Sequence, residues 1–402
     1  MSASAVGVLL TIAALLLSIM LHEAGHMLTA KAFGMKVTHY FLGFGKTLWS
    51  FRRGETEYGV KAIPAGGFVK IVGMTDVEEI EPGDEARAFY RQPAPQRLVV
   101  LAAGSVTHFI LAFGIFIAIF GVVGNPVSTT TIDRVTTCVD QLDETKCTAG
   151  GPTSPAARAG VQPGDRVISF GGQPVATYEQ LGKAINAHPA GQTPMVVDRG
   201  GTEATLTVNV ERHQRPDPKN PGSTREVGLI GIAPRTATAR DGVLTSMRKS
   251  ADVMGQSVVG VGKLLWTLPS TLAKTFTATT NGTTRDVNNA PISLIGATRL
   301  GGQALEAGDL AIFLGILGSI NVVVGIMNLL PLLPLDGGHI AILLFEKGRA
   351  ALYRTIGRRD PGRVDIMKLQ PVALAVIVFF GAMTLLLVWA DVANPILDPF
   401  KG

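Results

Sequence analysis

Charge is what this chain has least of. Asp, Glu, Lys and Arg make up 17% of its 402 residues against 47% hydrophobic ones, and the mean hydropathy is positive. That balance describes a membrane protein, while 47 glycines and 23 prolines leave ample loop for a soluble part. No Lys or Arg occurs among residues 1–21. A secretory signal peptide needs a basic n-region, so the first apolar run is expected to be retained as a span. The net charge is +5, yet the basic residues gather on no single helix or stripe, which argues against nucleic acid as a partner. Internal repeats and polar residues near the middle of the apolar runs, the marks of a metal or ion transporter, are also missing.

What is present begins with four stretches, about residues 5–30, 98–123, 309–335 and 370–390, long and apolar enough to cross a bilayer core of ~30 Å. Residues 31–97 hold ten Lys and Arg, and residues 337–370 hold seven against the acids Glu346, Asp360 and Asp365. The positive-inside rule makes both loops cytoplasmic and puts both termini and the long segment 124–308 outside. The only cysteines, Cys138 and Cys147, fall in that outer segment. An oxidising compartment favours a disulfide between them, with two free thiols as the alternative.

The first run ends in His22-Glu23-Ala24-Gly25-His26. Histidines four apart lie on one helix face and can grip one zinc ion, while Glu23 is placed to take a proton from water. Chance alone produces such a string on solvated helices, but ionisable residues at membrane depth are costly and functional by default. From Ala5 to His22 the helix rises about 25 Å, which puts the histidines near the cytoplasmic boundary. Catalytic zinc takes three protein ligands and leaves one position open. The third run closes with Asn328-Leu-Leu-Pro331-Leu-Leu-Pro334-Leu-Asp336-Gly337-Gly338-His339, so Asp336 is the natural third ligand and His339 the rival, or a residue supporting the ligands. The two prolines free backbone carbonyls, which survive at membrane depth only inside protein or beside water. Asn328 either caps that helix end or donates to the oxyanion of a tetrahedral intermediate.

Residues 58–73 carry short β-branched runs on either side of Pro64-Ala-Gly66-Gly67-Phe68, a pattern expected to form a hairpin turning at that Pro-x-Gly-Gly. A peptide bond inside a substrate helix is shielded by its own hydrogen bonds, and a hairpin edge near Pro64, Gly66, Gly67 and Phe68 offers a strand for the unwound segment to pair with. A purely structural hairpin is the alternative. The acidic run Glu78, Glu79, Glu81, Asp84 and Glu85 reads as a solvated linker. Residues 241–285 show an amphipathic helical pattern suited to the outer leaflet or to packing on a domain.

An apolar helix bearing His22-Glu23-x-x-His26, together with Asn328-x-x-Pro331 and Leu335-Asp336-Gly337, resembles the site-2 protease family of intramembrane zinc metalloproteases. The order of elements and the stretch Gly54-Glu-Thr-Glu-Tyr58-Gly are similar to bacterial, actinobacterial members. The resemblance implies His22, His26 and Asp336 as ligands of Zn2+ and Glu23 as catalytic acid/base. It also implies a membrane-dipping β element and substrates that are single-span proteins, of the anti-sigma-factor type, already shortened by another protease. Family members often carry an Asn where this chain has His108, after Ala103-Gly104-Ser105-Val106-Thr107. A histidine that positions its neighbours is the preferred reading of this departure, since a fourth protein ligand would close the site.

Residues 154–175, with Gly160-Val161-Gln162-Pro163-Gly164-Asp165 followed by a strand, resemble the PDZ domain of bacterial envelope proteases. Such a domain captures a chain end by strand addition or excludes bulky ectodomains sterically. The expected architecture is therefore an α-helical polytopic membrane protein with about four transmembrane helices, a membrane-associated β-hairpin and one extracytoplasmic PDZ (α+β) domain. Its parts are a catalytic half over 1–127, the PDZ domain over 128–234, an amphipathic connector over 235–308 and a second catalytic half over 309–402. Besides a plasma-membrane peptidase, a catalytically silent PDZ scaffold and a metal transporter stand as alternatives; the intact Glu23 and ligand set argue for the peptidase.

Overall fold

The computed structural model describes residues 3–74, 80–136, 153–217, 223–283, 285, 291–359 and 362–395. Cys138, Cys147, Glu78 and Glu79 lie outside the described residues. The chain divides into two compact units, Met1–Val123 with Asp241–Gly402, and Gly124–Arg240.

The first unit opens with α1 (Ala3–Ala32), whose residues before His22 carry no charge. Two long strands follow, β1 (Val37–Arg53) and β2 (Thr56–Ile71), reversing direction at Gly54-Glu55. Both strands bend and pair more than once. Leu42 faces Gly67 on one side and Val60 on the other, and Trp49 also faces Val60. The result is a small sheet of four rows whose edges are residues 67–71 and 47–53. The expected turn at Pro64–Gly67 is thus corrected: that segment is the interior of β2, where the strand changes partner from Phe44, opposite Ile63, to Leu42, opposite Gly67. The helix α2 (Ala94–Ala118), with Pro95 in its first turn, runs on through a π turn over Ile119–Val123. The segment before α2 is not a free acidic linker. Lys36 pairs with Asp84, Arg87 grips Glu55 through two hydrogen bonds of 2.7 and 2.6 Å, and Phe89 is buried.

The second unit is an antiparallel sheet of β3 (Asn125–Val135), β4 (Arg166–Phe170), β5 (Gln173–Pro174), β6 (Gly191–Arg199), β7 (Thr202–Pro216), β8 (Thr224–Leu229) and β9 (Ile232–Ala239) with two helices, α3 (Pro155–Arg158) and α4 (Tyr178–Ala187). Its strand order is β8-β7-β6-β4-β3-β9, with β5 on β4. Thr177 and Gln180 form a reciprocal cap on α4, which satisfies two backbone donors. Leu181 and Ile185 of α4 share one buried core with Val167, Phe170, Met195, Val197 and Val208. The unit is wider than 128–234 because its first and last strands in the chain hold each other: Asn125 pairs with Ala239 where the chain enters and leaves. Asp165 accepts 2.7 Å hydrogen bonds from Arg199 on both carboxylate oxygens and another from the Gln162 N–H. The Arg199 guanidinium holds its carboxyl below the usual carboxylate range.

The chain then returns to the first unit through α5 (Val243–Asn281), α6 (Leu294–Glu306), α7 (Leu310–Asn328), α8 (Asp336–Thr355) and α9 (Gln370–Ala393). The hydroxyls of Thr267, Thr271 and Thr275 bond back to carbonyls four residues earlier, around Pro269 inside α5. Among the described residues, four helical segments are long and apolar enough to cross a membrane: Ala5–Ala32, Ala94–Val123, Leu310–Asn328 and Ile366–Ala393. The third ends at Asn328 rather than near 335, so Asp336 does not close that span but opens the next helix. The spans also hold buried polar residues, contrary to expectation: Thr11 in α1, His108 in α2 and Asn321 in α7.

In lipid the tails are as apolar as leucine, so helices associate through close packing and hydrogen bonds rather than through the hydrophobic effect. One buried cluster matters most for the site. It joins Met27 and Ala30 of α1, Val37 and Ile71 of the sheet, Val100 and Leu101 of α2 and Leu343 of α8, and so fixes the start of α8 against the histidine-bearing turn of α1.

Candidate metal centre

His22 and His26 sit one turn apart on α1 with their Nε2 atoms 3.2 Å apart. The Asp336 Oδ2 atom lies 3.4 Å from His22 Nε2 and 3.3 Å from His26 Nε2. A tetrahedral zinc with bonds of roughly 2.0–2.2 Å separates its ligand atoms by about 3.3–3.5 Å. The three atoms therefore form a triangle of the size one such ion spans. Among the described residues this is the one group of three His, Cys, Asp or Glu side chains found close enough to share a metal.

The chemistry of the donors fits as well as the spacing. His26 Nδ1 lies 2.7 Å from the Val100 carbonyl oxygen, which only accepts, so Nδ1 carries the proton and Nε2 presents its lone pair. Both histidines are buried, and Asp336 Oδ2 is buried without a hydrogen bond among the described residues. An unsatisfied carboxylate oxygen between two imidazoles is expensive unless a cation joins them.

Three features hold the triangle. The first is a close helix crossing at Gly104 of α2, where an added Cβ would stand 2.4 Å from both His22 Cε1 and His26 Nε2. The second is the first turn of α8. Leu335 is extended and Asp336 begins the helix, with its carboxylate at the positive end of the helix dipole. The third is the packing of the preceding loop across that turn, since a Cβ on Gly337 would come within 2.3 Å of the Leu329 and Leu330 backbone. His22 is followed by ten more residues of α1, and Gly104 is preceded by ten residues of α2. The site is thus about 15 Å in from that end of both helices.

Glu23 is half-buried beside the triangle and faces the Val69 backbone amide. A Cβ on Gly67 would stand 3.2 Å from Glu23 Cγ. The edge row of the sheet, residues 67–71, therefore borders Glu23. Phe68 stacks on Phe41 and Phe44 with ring centroids 5.7 and 6.0 Å apart, and Pro64 is exposed. Asn328 ends α7, half-buried, with its amide unpaired among the described residues. His339 is not in the triangle. It lies a turn further along α8 and lines a small cavity with Arg97, Leu343 and Glu346.

Neither Val100 nor Asn321 belongs to a motif in the sequence, and Gly104 stands there only as one residue of the run before His108. A carbonyl acceptor carries no side-chain signal, and a glycine at a crossing is recognisable only once the facing helix is known. Asn321 did carry one, as a polar residue inside an apolar span.

Known proteins bear on this arrangement. The profile of peptidase family M50 matches residues 10–357. The zinc metalloprotease Rip1 of Mycobacterium tuberculosis is 40% identical over 401 residues, covering 97% of this chain and 98% of its own length. The zinc metalloprotease Rip1 of Mycolicibacterium smegmatis is 38% identical over 404 residues, with the same coverage. A match spanning both the His22–His26 turn and Asp336 covers most of the chain, and on that ground this protein belongs to peptidase family M50.

Proposed function

We propose that the chain is an intramembrane zinc metalloendopeptidase of the site-2 protease type, cutting within the membrane-spanning segment of single-span proteins. The observation that carries the reading is the meeting of His22, His26 and Asp336 within 3.4 Å of one another inside a bundle of membrane-length helices, with Glu23 alongside. Zinc held by these three side chains supplies Lewis acidity for the scissile carbonyl and for water near neutral pH. Glu23 takes the proton of the attacking water and returns it to the departing amide nitrogen. The unwound substrate adds along the outer row at residues 67–71, which offsets its lost helical hydrogen bonds and brings its backbone past Glu23. Asn328, with a free amide, donates to the oxyanion. His339 supports α8 from the cavity below the triangle.

The distribution of Lys and Arg supports a plasma-membrane orientation with the hairpin loop cytoplasmic and both termini outside. The Gly124–Arg240 unit is read as the PDZ domain, taking an exposed C-terminus or excluding uncut ectodomains. Prior shortening of the substrate follows from that reading, and anti-sigma factors are the substrate class. The test uses purified full-length protein in detergent with a model transmembrane peptide. About one zinc per chain and cleavage are expected, with Glu23→Gln keeping the metal and losing cleavage. Equal cleavage by Glu23→Gln overturns the mechanism.

A further inference from the structure

The two histidines are supported unequally. His26 donates its Nδ1–H to the Val100 carbonyl, whereas His22 Nδ1 is buried and has no hydrogen-bond partner among the described residues. A histidine that binds metal through Nε2 carries a proton on Nδ1, and the acceptor of that proton sets the ring's orientation and basicity. His22 Nδ1 lies against α2, 2.7 Å from where a Cβ on Gly104 would stand. One turn along the same face is His108, 2% exposed, its ring centroid 5.0 Å from that of His22.

The tautomer of His108 follows from its other contacts. Asn321 Nδ2 donates to the Leu317 carbonyl at 2.8 Å, and a carbonyl only accepts. Asn321 Oδ1 is therefore the acceptor facing His108 Nδ1, 2.8 Å away. A neutral His108 then has its proton on Nδ1 and a free lone pair on Nε2. We propose that His108, oriented by Asn321 across the α2–α7 contact, accepts the hydrogen bond of the His22 Nδ1 proton when metal is bound; in this structure the two rings are adjacent and not yet hydrogen-bonded. It is a positioning residue reaching the metal only through His22, and it lies outside the ligand triangle. This inference rests on the zinc reading above.

The full-length protein in detergent tests it by competing zinc against a chromophoric chelator and by recording the visible spectrum of the cobalt-substituted form. His108→Leu removes the acceptor at similar size and is expected to weaken zinc binding roughly 10–100-fold and to change the cobalt spectrum. His108→Gln, whose amide oxygen accepts, is expected to recover most of that loss, which a merely space-filling role would not produce. Asn321→Leu leaves the His108 ring in place but unoriented, and is expected to weaken zinc binding less than His108→Leu does. It covers the case in which His108→Leu fails to fold. Unchanged metal affinity in the folded Leu variants, or equal loss in His108→Gln and His108→Leu, overturns the proposal. Failure of the zinc reading itself is distinguishable, because His22→Ala and Asp336→Ala then also leave metal binding unchanged.

Discussion

At the scale of single residues, the site depends as much on an absent side chain as on those present. The histidine pair is legible in the sequence because i,i+4 spacing is a local property. Asp336 is legible because a carboxylate beside Pro334 at the edge of an apolar run has few bland explanations. Gly104 is not, because its importance lies in a neighbour some eighty residues away. The α2 backbone fills the space where a side chain would meet both imidazoles. Replacing it by alanine puts a methyl group 2.4 Å from His26 Nε2, closer than any relaxed contact. Gly104→Ala is therefore expected to reduce zinc from about one per chain to a small fraction, with helical circular dichroism retained. Full zinc occupancy by metal analysis would show that the two helices are free to separate there. A smaller effect is expected for Asp336→Asn, which keeps the shape but weakens a charged ligand.

At the scale of elements, the hairpin shows why local patterns place strands better than they place turns. Both Gly54-Glu55 and Pro64-x-Gly-Gly carry turn chemistry, and only the first reverses the chain. The second lets one strand exchange partners, a long-range event that no window of residues records. The exchange has a functional consequence, since it leaves residues 67–71 as an edge whose backbone runs beside Glu23. Proline is tolerated on an edge strand but removes its N–H. Val69→Pro is expected to keep its zinc and to lose cleavage by about 10²-fold or more, whereas Val69→Ala keeps the amide and most of the activity. Cleavage by Val69→Pro at the parental rate would remove the backbone of this row from the reaction.

At the scale of the whole molecule, two units with separate cores imply two separable stabilities. The membrane unit is held by helix packing and the shared cluster around Val100 and Leu343, whereas the Gly124–Arg240 unit is closed by β3 pairing with β9 and by the buried Asp165 carboxylate on Arg199. The β-rich character of 154–210 was legible from its Pro-Gly turn and alternating runs. Its true limits were not, because the pairing of Asn125 with Ala239 joins residues more than a hundred positions apart. Arg199 depresses the Asp165 pKa in the folded state. The stabilisation it brings is therefore present above the unfolded carboxyl pKa of about 3.9, and fades as pH falls through the lower folded value. Asp165→Asn is expected to lower the thermal transition of this unit by about 5 °C at pH 7, and to narrow its gap from the parent below about pH 4. Zinc content of the membrane unit should stay unchanged throughout. A variant that loses metal along with the transition, or whose gap from the parent is the same at pH 7 and pH 3, would show that the two units unfold as one or that this pair does not carry the linkage.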